Sequence, residues 1–373
     1  LLKFSDVTTT QAPALKGIGL VCDALWTDYD NDGWEDLLLA GEWMSPTFLK
    51  NNKGRLQNTS NADLQNFKGF WNSIVAGDFD NDGDIDYVLG NQGENTLYRA
   101  SDDMPVRLYH GDFNTDGSYD AIPTVYLKDT LGKRQEFPFN TRDDMVKQMI
   151  QTRKRFDKYH KYAKSTIHEV LTPSELSTAT ILSANWTKTS YVENLGNGAF
   201  KLKALPTVAQ FSSVNAMLVA DWNADGNLDL LLSGNDYGNE ISIGRLDAGM
   251  GEVLLGDGKG SFNILPLAKT GLCLDGDTKA LVMIPTAKAQ IGLLSSQNRG
   301  ALREVLLLQK PTKIIPLQAK DQSAIVWLKN GKKRKEEFYY GNTYLSQSAR
   351  NLYFNSSIKQ VQIVNSNQQK RVY

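Results

Sequence analysis

The chain alternates short apolar runs with polar turns rich in Gly, Asn and Asp. One nine-residue pattern, D-x-[DN]-x-D-G-x-x-D, starts at Asp28, Asp78, Asp112 and Asp221. An apolar run precedes every copy, and another follows directly after all but the third. Apolar runs on both sides of a Gly-containing turn predict β-hairpins, so the predicted repeating unit is strand, acidic loop, strand.

The spacing of these copies predicts the architecture. Apart from one longer interval, they recur about every 35 to 55 residues, a period typical of blade repeats. Small antiparallel sheets repeated at that period predict an all-β protein with a β-propeller or a related array of blades. We expect this propeller to occupy residues 1–310.

The longer interval contains the one clearly helical stretch, residues 141–171. Its apolar positions recur at spacings of three, four and seven, which predicts a helical insertion within the third repeat unit, ended by Thr172 and Pro173. The stretch is rich in Lys and Arg. Its basic face is either solvated or a docking surface for an acidic partner or lipid headgroups.

The remaining residues, 311–373, alternate apolar and polar positions around a basic turn at Lys332–Lys335. They are predicted to form either the closing blade or a small appended β unit. The predicted strands are Ser323–Leu328, Glu336–Tyr340, Asn351–Phe354 and Val361–Val364.

A second internal match supports the repeat unit. The segment Leu39–Asn51 aligns with Leu182–Asn194 through shared Trp, aromatic and Asn positions. Trp43 and Trp186 are therefore expected to be structural equivalents.

Composition narrows the function classes. The 373 residues carry a formal net charge of −1, so binding of nucleic acid through bulk positive charge is not expected. No apolar run reaches the length of a membrane span. The two cysteines, Cys22 and Cys273, lie in apolar runs and are expected to be buried free thiols. Three histidines leave little for a His-rich metal centre.

The acidic loops instead suggest a hard cation. Side-chain oxygens at positions 1, 3, 5 and 9, together with the carbonyl oxygen of position 7, would form an oxygen cage of the kind that Ca²⁺ prefers. The Gly at position 6 permits the tight turn. The predicted metal ligands are Asp28, Asp30, Asp32, Trp34, Asp36, Asp78, Asp80, Asp82, Asp84, Asp86, Asp112, Asn114, Asp116, Ser118, Asp120, Asp221, Asn223, Asp225, Asn227 and Asp229.

The copies are not expected to be equal. Those at Asp28 and Asp78 carry four aspartates at the side-chain ligand positions and should bind calcium most tightly, whereas the other two carry Asn at position 3. A degenerate fifth copy around Asp275 and Asp277 lacks outer ligands and is expected to bind nothing. The alternative is that these loops are Asx turns without metal. A saturated cage leaves no open position for a substrate, so no catalytic residue is assigned.

At these loops the sequence resembles the FG-GAP/VCBS repeat family of calcium-loop propellers, which includes the integrin α-subunit head. The segments Phe4–Thr8, Gly276–Ala280 and Ser295–Gly300 are similar to large repeat lipoproteins of Bacteroidota. The segment Gly341–Ser348 is similar to an ASPIC/UnbV-type module, although it lacks the usual Gly before Tyr344. The resemblance implies an exported protein of the cell surface or outer membrane, usually longer than this chain.

Three functions remain open at this point. The first is a non-enzymatic, calcium-binding interaction module with protein partners at the cell surface, such as an accessory subunit of an outer-membrane or transporter assembly. The second is a propeller enzyme acting on a polysaccharide, which would need a pair of carboxylates outside the calcium loops. The third is glycan binding without hydrolysis.

Overall fold

The computed structural model describes residues 3–59, 61–240, 243–341 and 344–373. The protein is mostly β, with 41% strand and 11% helix, as the alternating sequence predicts. The chain folds as two compact units. Unit 1 comprises Leu1–Asn66, Phe70–Thr96 and Lys188–Tyr373, and unit 2 comprises Phe67–Gly69 and Leu97–Thr187. Across the described ranges, no helix is long and apolar enough to span a membrane.

The strands, in chain order, are β1 (Leu20–Thr27), β2 (Asp36–Met44), β3 (Thr47–Asn52), β4 (Arg55–Asn58), β5 (Gly69–Phe70), β6 (Ser73–Gly77), β7 (Asp86–Gly90), β8 (Val106–Gly111), β9 (Asp120–Lys128), β10 (Arg134–Pro138), β11 (Thr180–Ala184), β12 (Ser190–Asn194), β13 (Phe200–Ala204), β14 (Val214–Ala220), β15 (Asp229–Gly234), β16 (Glu252–Gly256), β17 (Phe262–Leu265), β18 (Thr278–Pro285), β19 (Ile291–Gln297), β20 (Arg303–Leu306), β21 (Lys313–Pro316), β22 (Asp321–Leu328), β23 (Lys333–Glu337), β24 (Asn351–Phe354), β25 (Ile358–Asn365) and β26 (Lys370–Val372). The helices are α1 (Thr8–Gln11), α2 (Arg142–Gln148), α3 (Thr152–Arg155), α4 (Tyr159–Tyr162), α5 (Ile167–Val170), α6 (Pro173–Thr178) and α7 (Leu267–Thr270), with 3₁₀ turns at Pro13–Leu15 and Thr207–Gln210.

Unit 1 contains a series of small antiparallel sheets. Their strand orders are β1-β2-β3-β4, β13-β12-β7-β6, β14-β15-β16-β17 and β18-β19-β20. In each sheet, the edge strand that precedes the acidic loop or comes first in the chain (β1, β6, β14 or β18) lies beside the corresponding strand of the next sheet. Strand β6 neighbours both β1 and β14, and β14 neighbours β18. This series matches the predicted repeat of small sheets. No closed sheet is found in the part of the chain that the structure describes, so the predicted propeller is not confirmed.

The core of unit 1 lies between consecutive sheets. Val75 and Val88 of the second sheet pack with Met217 and Leu230 of the third. Ala216 and Leu231, on the other side of the third sheet, pack against Leu293 of the fourth. The central strands are buried on both faces, so they read as continuous apolar runs such as Leu230–Leu232.

The second sheet is assembled from two distant parts of the sequence. Strand β7 pairs with β12 in antiparallel register, with Tyr191 opposite Val88. The larger segment of unit 2, Leu97–Thr187, is inserted in the sequence between these two strands. The structure therefore divides the chain differently from the predicted helical insertion, because the inserted segment also contains the third acidic loop.

Unit 2 combines the sheet β10-β9-β8-β11 with helices α2 to α6. Tyr109 and Ile122 of the sheet pack against Met145, Phe156 and Ile167 of the helical segment. The helical stretch predicted over residues 141–171 consists of four short helices, α2 to α5, and not of one continuous helix. Its buried side chains do not repeat at one constant helical spacing, so the chain turns to follow the core.

The predicted end of the helical segment is wrong. Thr172 and Pro173 begin α6 instead of ending a helix. The Thr172 hydroxyl accepts a hydrogen bond from the Glu175 N–H, and the Glu175 carboxylate accepts one from the Thr172 N–H. This reciprocal capping box is a signal for the start of a helix.

The predicted C-terminal strands are present with small shifts. They form the sheet β23-β22-β25-β26 and the pair β21-β24, with a separate core that includes Val326, Leu352 and Val361. Part of the predicted basic turn belongs to β23. Of the predicted Gly341–Ser348 motif, Asn342 and Thr343 lie outside the described residues.

The cysteine prediction is half correct. Cys22 and Cys273 are free thiols, but neither is buried: Cys22 is half-buried and Cys273 is exposed. Cys273 precedes β18 in an irregular segment, so the apolar run around it does not form a central strand.

Candidate metal centres

Each copy of the nine-residue motif closes a hairpin with the same register. The loops, numbered in chain order as loops 1 to 4, join β1 to β2, β6 to β7, β8 to β9, and β14 to β15. The aspartate at position 9 pairs with the residue before position 1, as Asp36 does with Thr27 and Asp86 with Gly77. The predicted strand, loop, strand unit is therefore confirmed in all four copies.

The four loops share an unusual backbone. Positions 4 and 6 both have positive φ angles, in the left-handed region that most residues avoid. The position-4 residues, with φ from 56° to 64°, are Asn31, Asn81, Thr115 and Ala224, and the position-6 residues are Gly33, Gly83, Gly117 and Gly226. A branched residue such as Thr115 adopts this conformation only where the surrounding structure enforces it.

Hydrogen bonds within each loop enforce the turn. The carboxylate of position 1 accepts the N–H of the position-6 glycine, at 3.0 Å for Asp28 and 3.1 Å for Asp78. The carboxylate of position 5 accepts the N–H of position 7, at 2.9 Å for both Asp32 and Asp82. Loops 3 and 4 repeat both contacts. The second oxygen of position 1 accepts the N–H of position 5 in loops 2, 3 and 4, whereas in loop 1 Asp28 Oδ1 has no hydrogen-bond partner.

Loops 1 and 2 bring three carboxylates together. In each of them, one oxygen from each of positions 1, 3 and 5 lies within 4.8 Å of the other two. These residues are Asp28, Asp30 and Asp32 in loop 1, and Asp78, Asp80 and Asp82 in loop 2.

The donor set of loop 1 fits a hard cation. Asp28 Oδ1 and Asp36 Oδ2 are buried and have no hydrogen-bond partner. A buried carboxylate oxygen without a donor is costly, and a cation coordinated by oxygen would remove that cost. When bound, Ca²⁺ would supply the positive charge that stabilises these carboxylates, and a saturated cage would leave no coordination position for a substrate. The residues that would hold it here are Asp28, Asp30, Asp32 and Asp36, with the carbonyl group of Trp34.

Loops 3 and 4 differ at position 3, as the sequence predicts. Asn114 Nδ2 donates to Asp116 at 2.9 Å, and Asn223 Nδ2 donates to Asp225 at 2.9 Å. In these loops a neutral amide therefore already partners the position-5 carboxylate. This arrangement places less uncompensated negative charge in the loop, in line with the expectation of weaker calcium binding.

The position-9 aspartates have a second role that sequence reasoning did not find. They are buried, and they accept hydrogen bonds from the backbone of the third strand of their sheet or of their own loop. Asp36 accepts the N–H of Asn51 at 2.6 Å, and Asp229 accepts the N–H groups of Gly256 and Trp222 at 2.9 and 2.8 Å. Each of these two carboxylates therefore joins its acidic loop to the third strand of its sheet.

Asp86 of loop 2 is the most fully bonded of these residues. Its oxygens accept the N–H of Asn194 at 2.8 Å, the Tyr191 hydroxyl at 2.8 Å and the N–H of Phe79 at 3.1 Å. Burial raises the pKa of Asp86 to about 8, and it raises the pKa values of Asp36 and Asp229 to about 7. A carboxylate that is this hard to ionise needs a nearby cation to stay charged at neutral pH.

These contacts test the alignment of Leu39–Asn51 with Leu182–Asn194. Its C-terminal end is correct, because Asn51 and Asn194 make the same bond to position 9 of their loops. Its N-terminal end is not. Trp43 lies in β2 of unit 1 with a positive φ, whereas Trp186 lies between strands in unit 2.

Loop 1 carries a built-in cation. Lys50, on β3, extends its ammonium group to the carboxylates of Asp30 and Asp32, and the Nζ–Oδ2 distance to Asp32 is 2.9 Å. Although burial opposes the shift, the hydrogen bonds from Lys50 and Trp34 lower the pKa of Asp32. The residue that precedes Asn194 at the matching position of loop 2 is Glu193. The difference between Lys50 and Glu193 is visible in the aligned sequences, but the contact of Lys50 with Asp30 and Asp32 could be found only from the structure.

Loop 2 lacks this compensation. Burial, with the charges of neighbouring aspartates, raises the pKa of Asp78 to about 7 and that of Asp80 to about 6. The difference between the two loops is the Lys50 ammonium group, which contacts two carboxylates of loop 1.

The C-terminal sheet contacts three of the four loops. The backbone N–H of Lys335 donates to Asp78 Oδ2 at 2.8 Å, and its ammonium group donates to Asn31 Oδ1 at 2.6 Å. Ser357 Oγ and Asn355 Nδ2 donate to Asp221 Oδ2, both at 2.8 Å. The basic turn predicted from the sequence thus packs against loops 1 and 2 of its own unit.

Loops 1 and 2 also contact each other directly, since Asn31 Nδ2 donates to Asp84 Oδ1 at 2.7 Å. Asp84, one of the predicted position-7 ligands, therefore uses its side chain between loops, and only its carbonyl group is available to the predicted cage. The degenerate fifth copy has its own cations: Asp275 pairs with Arg303 at 2.7 Å, and Asp277 pairs with Lys279 at 2.8 Å.

Comparison with known proteins agrees with this geometry. Residues 28–89, which contain loops 1 and 2, match the family described as FG-GAP-like repeat. The chain therefore contains an FG-GAP-like repeat, which suggests a protein-interaction or adhesion-type module. No curated protein matches the chain.

Among solved structures, the chain is similar to the crystal structure of the V. cholerae biofilm matrix protein Bap1, at 11% sequence identity. The match covers 95% of this chain and 59% of that chain, with a TM-score of 0.16. This TM-score is too low for the likeness to inform the fold or the function.

Proposed function

We propose that this chain is a non-enzymatic, calcium-binding interaction module of the cell surface, and that its consecutive sheets are blades of a β-propeller. The observation that carries the proposal is the convergence of three carboxylate oxygens within 4.8 Å in both loop 1 and loop 2. The FG-GAP-like repeat over the same residues supports it. The partners would be proteins at the cell surface or outer membrane, with this chain as an accessory subunit.

The finer resemblance, to exported Bacteroidota lipoproteins with an ASPIC/UnbV-type module, is part of the same proposal. It would place the chain on the extracellular face of the outer membrane. Surface labelling or protease treatment of intact cells tests this location, and protection of the chain in intact but not in lysed cells would contradict it.

A role without catalysis is supported by how the inner carboxylates are engaged. Glu336 and Glu337 line a cavity of about 220 Å³ in unit 1, where an acidic pair acting on a polysaccharide could have been placed. Glu336 is paired with Arg334 at 2.8 Å, while Glu337 accepts hydrogen bonds from Thr27 and Tyr339, both at 2.9 Å. Glu337 is also paired with Lys335 at 2.8 Å, so these contacts support a structural role for both carboxylates within this proposal.

The experiment that tests the proposal measures metal content and thermal unfolding on one sample of the purified chain. We expect about two to four bound calcium ions per chain, with a clear fall of Tm when a chelator is added. The double variant Asp30→Asn with Asp80→Asn keeps side-chain shape and gives loops 1 and 2 the position-3 residue of loops 3 and 4, so it should weaken calcium binding at both loops. A protein that holds no metal and melts at the same temperature with and without chelator would refute the calcium sites.

A further inference from the structure

A strongly basic segment lies in unit 2, away from the acidic loops in sequence. Residues 153–164, hereafter the basic segment, contain six Lys or Arg residues, one His and a single acidic residue, Asp157. The whole chain has a net charge of −1, so this is a local concentration of positive charge. The calcium-binding proposal does not use it.

Two aromatic anchors fix the orientation of the basic segment. Phe156 and Tyr162 are buried in the core of unit 2, with ring centroids 5.5 Å apart in an edge-to-face arrangement. Helices α3 and α4 lie on either side of Phe156. The side chains that point away from this core are exposed: Arg153, Lys154, Lys158, Lys161 and Lys164.

These exposed cations are not neutralised within the protein. Arg155 forms a two-pronged pair with Glu175, at 2.8 and 2.7 Å, and is used internally. Within the described ranges, none of the five exposed cations forms an ion pair with a carboxylate. Their charge is therefore available to an anionic partner.

An exposed aromatic ring is fixed among these charges. Tyr159 is 63% exposed, yet its hydroxyl donates to Asp143 at about 3.0 Å and the Arg142 guanidinium lies 4.9 Å from its ring centre. Arg142 is itself held by a hydrogen bond from its Nε to the Phe156 carbonyl, at 2.6 Å. The ring is thus immobilised before any ligand binds, which lowers the entropic cost of stacking on it.

We propose that the basic segment and Tyr159 bind an acidic polysaccharide. The lysine and arginine side chains would pair with carboxylates along the polymer, and a sugar ring would pack on the exposed part of Tyr159. A membrane surface is disfavoured because α3 and α4 have only four residues each and present no continuous apolar face. An acidic protein segment is also disfavoured, because it would pair with the exposed cations of the basic segment without requiring the fixed ring of Tyr159.

The test is binding of the full-length chain to polygalacturonate, a polymer of uronic acid, with neutral dextran as the uncharged control. We expect binding to polygalacturonate only, weakening as salt is added. Lys154→Glu with Lys158→Glu should weaken binding about tenfold. The matched control, Lys128→Glu with Lys133→Glu, changes the charge of the same unit equally at two other exposed lysines and should leave binding unchanged.

The ring is tested separately. Tyr159→Phe keeps the ring but loses the hydrogen bond to Asp143, so it should weaken binding less than Tyr159→Ala, which removes the ring. Thermal unfolding confirms that both variants fold. Poly-L-glutamate provides carboxylates without sugar rings and should bind more weakly than polygalacturonate. The proposal is overturned if the control pair of lysines matters equally, if poly-L-glutamate binds as well and Tyr159→Ala changes nothing, or if only anionic vesicles bind.

Discussion

Loops 1 and 2 have the same four aspartates at their side-chain ligand positions, but the structure balances their charge differently. In loop 1, Lys50 supplies a positive charge to Asp30 and Asp32. In loop 2 the matching position is Glu193, and Asp86 instead holds the loop through bonds to three donors. A motif that defines the ligands therefore does not define the electrostatics of a site, because a neighbouring strand adds its own charge.

The largest effect is expected at position 9. Asp86→Ala leaves the Asn194 N–H, the Tyr191 hydroxyl and the Phe79 N–H without their acceptor, so it should lower the free energy of unfolding by about 3 kcal/mol or more. Asp36→Ala removes the acceptor of Asn51 and should cost about 1 to 2 kcal/mol. Denaturant unfolding of the calcium-free protein measures the free energy of unfolding of both variants. Equal losses for Asp86→Ala and Asp36→Ala would contradict the difference described between loops 1 and 2.

The next effect concerns calcium affinity. Lys50→Met removes the internal cation while keeping the aliphatic chain, so loop 1 should bind calcium about tenfold more tightly, a change of about 1.4 kcal/mol. The opposite change, Glu193→Lys, places a cation at the matching position and should lower the calcium affinity of loop 2.

Terbium provides a loop-specific readout of this prediction. Trp34 occupies position 7 of loop 1, so excitation of Trp in a Trp222→Phe background should sensitise terbium bound there. If Lys50→Met leaves terbium affinity unchanged, Lys50 does not compete with the metal.

The raised pKa values predict a pH dependence for the calcium-free protein. Asp86, with a pKa of about 8, and Asp36 and Asp78, each of about 7, bind protons more tightly in the folded than in the unfolded chain. Stability should therefore fall as the pH rises from about 5 to 8, by an amount that calcium reduces. Tm measured across this range tests the sign, and Asp86→Asn should flatten the curve more than Asp36→Asn.

The smallest effect is expected at the contact between the two loops. Asn31→Gly keeps a residue that accepts the positive φ of 58° but removes the hydrogen bond to Asp84 and the one that Lys335 donates to Asn31. The cost should be about 0.5 to 1 kcal/mol, with any cooperativity between calcium binding in loops 1 and 2 reduced. Calcium titration of this variant would find unchanged cooperativity if the loops act independently.

The sequence predicted the elements whose signals are local. The acidic hairpins and most C-terminal strands follow from short apolar runs and Gly-containing turns. The aligned Asn51 and Asn194 even mark equivalent positions on the third strand. Contacts between distant residues, such as Lys335 with Asp78, were not predicted, because no local pattern encodes which strand packs beside a loop.

The helical segment shows the same limit. Apolar residues at spacings of three and four predicted helix over residues 141–171, but Ile150 is 67% exposed and the chain turns repeatedly. Whether a periodic segment forms one helix depends on the surface it covers. That surface, formed by Tyr109 and Ile122 of unit 2, is not visible in the segment itself.

The insertion of unit 2 has a consequence for synthesis on the ribosome. Asp86 and Asn194 are bonded across 108 residues, so β7 leaves the exit tunnel well before its partner strand exists. At about 5 to 20 residues per second, this delay lasts several seconds to tens of seconds. Until β12 is synthesised, the edge of β7 that pairs with it has no partner strand, and an unpaired apolar edge is a site where a partly synthesised chain can aggregate.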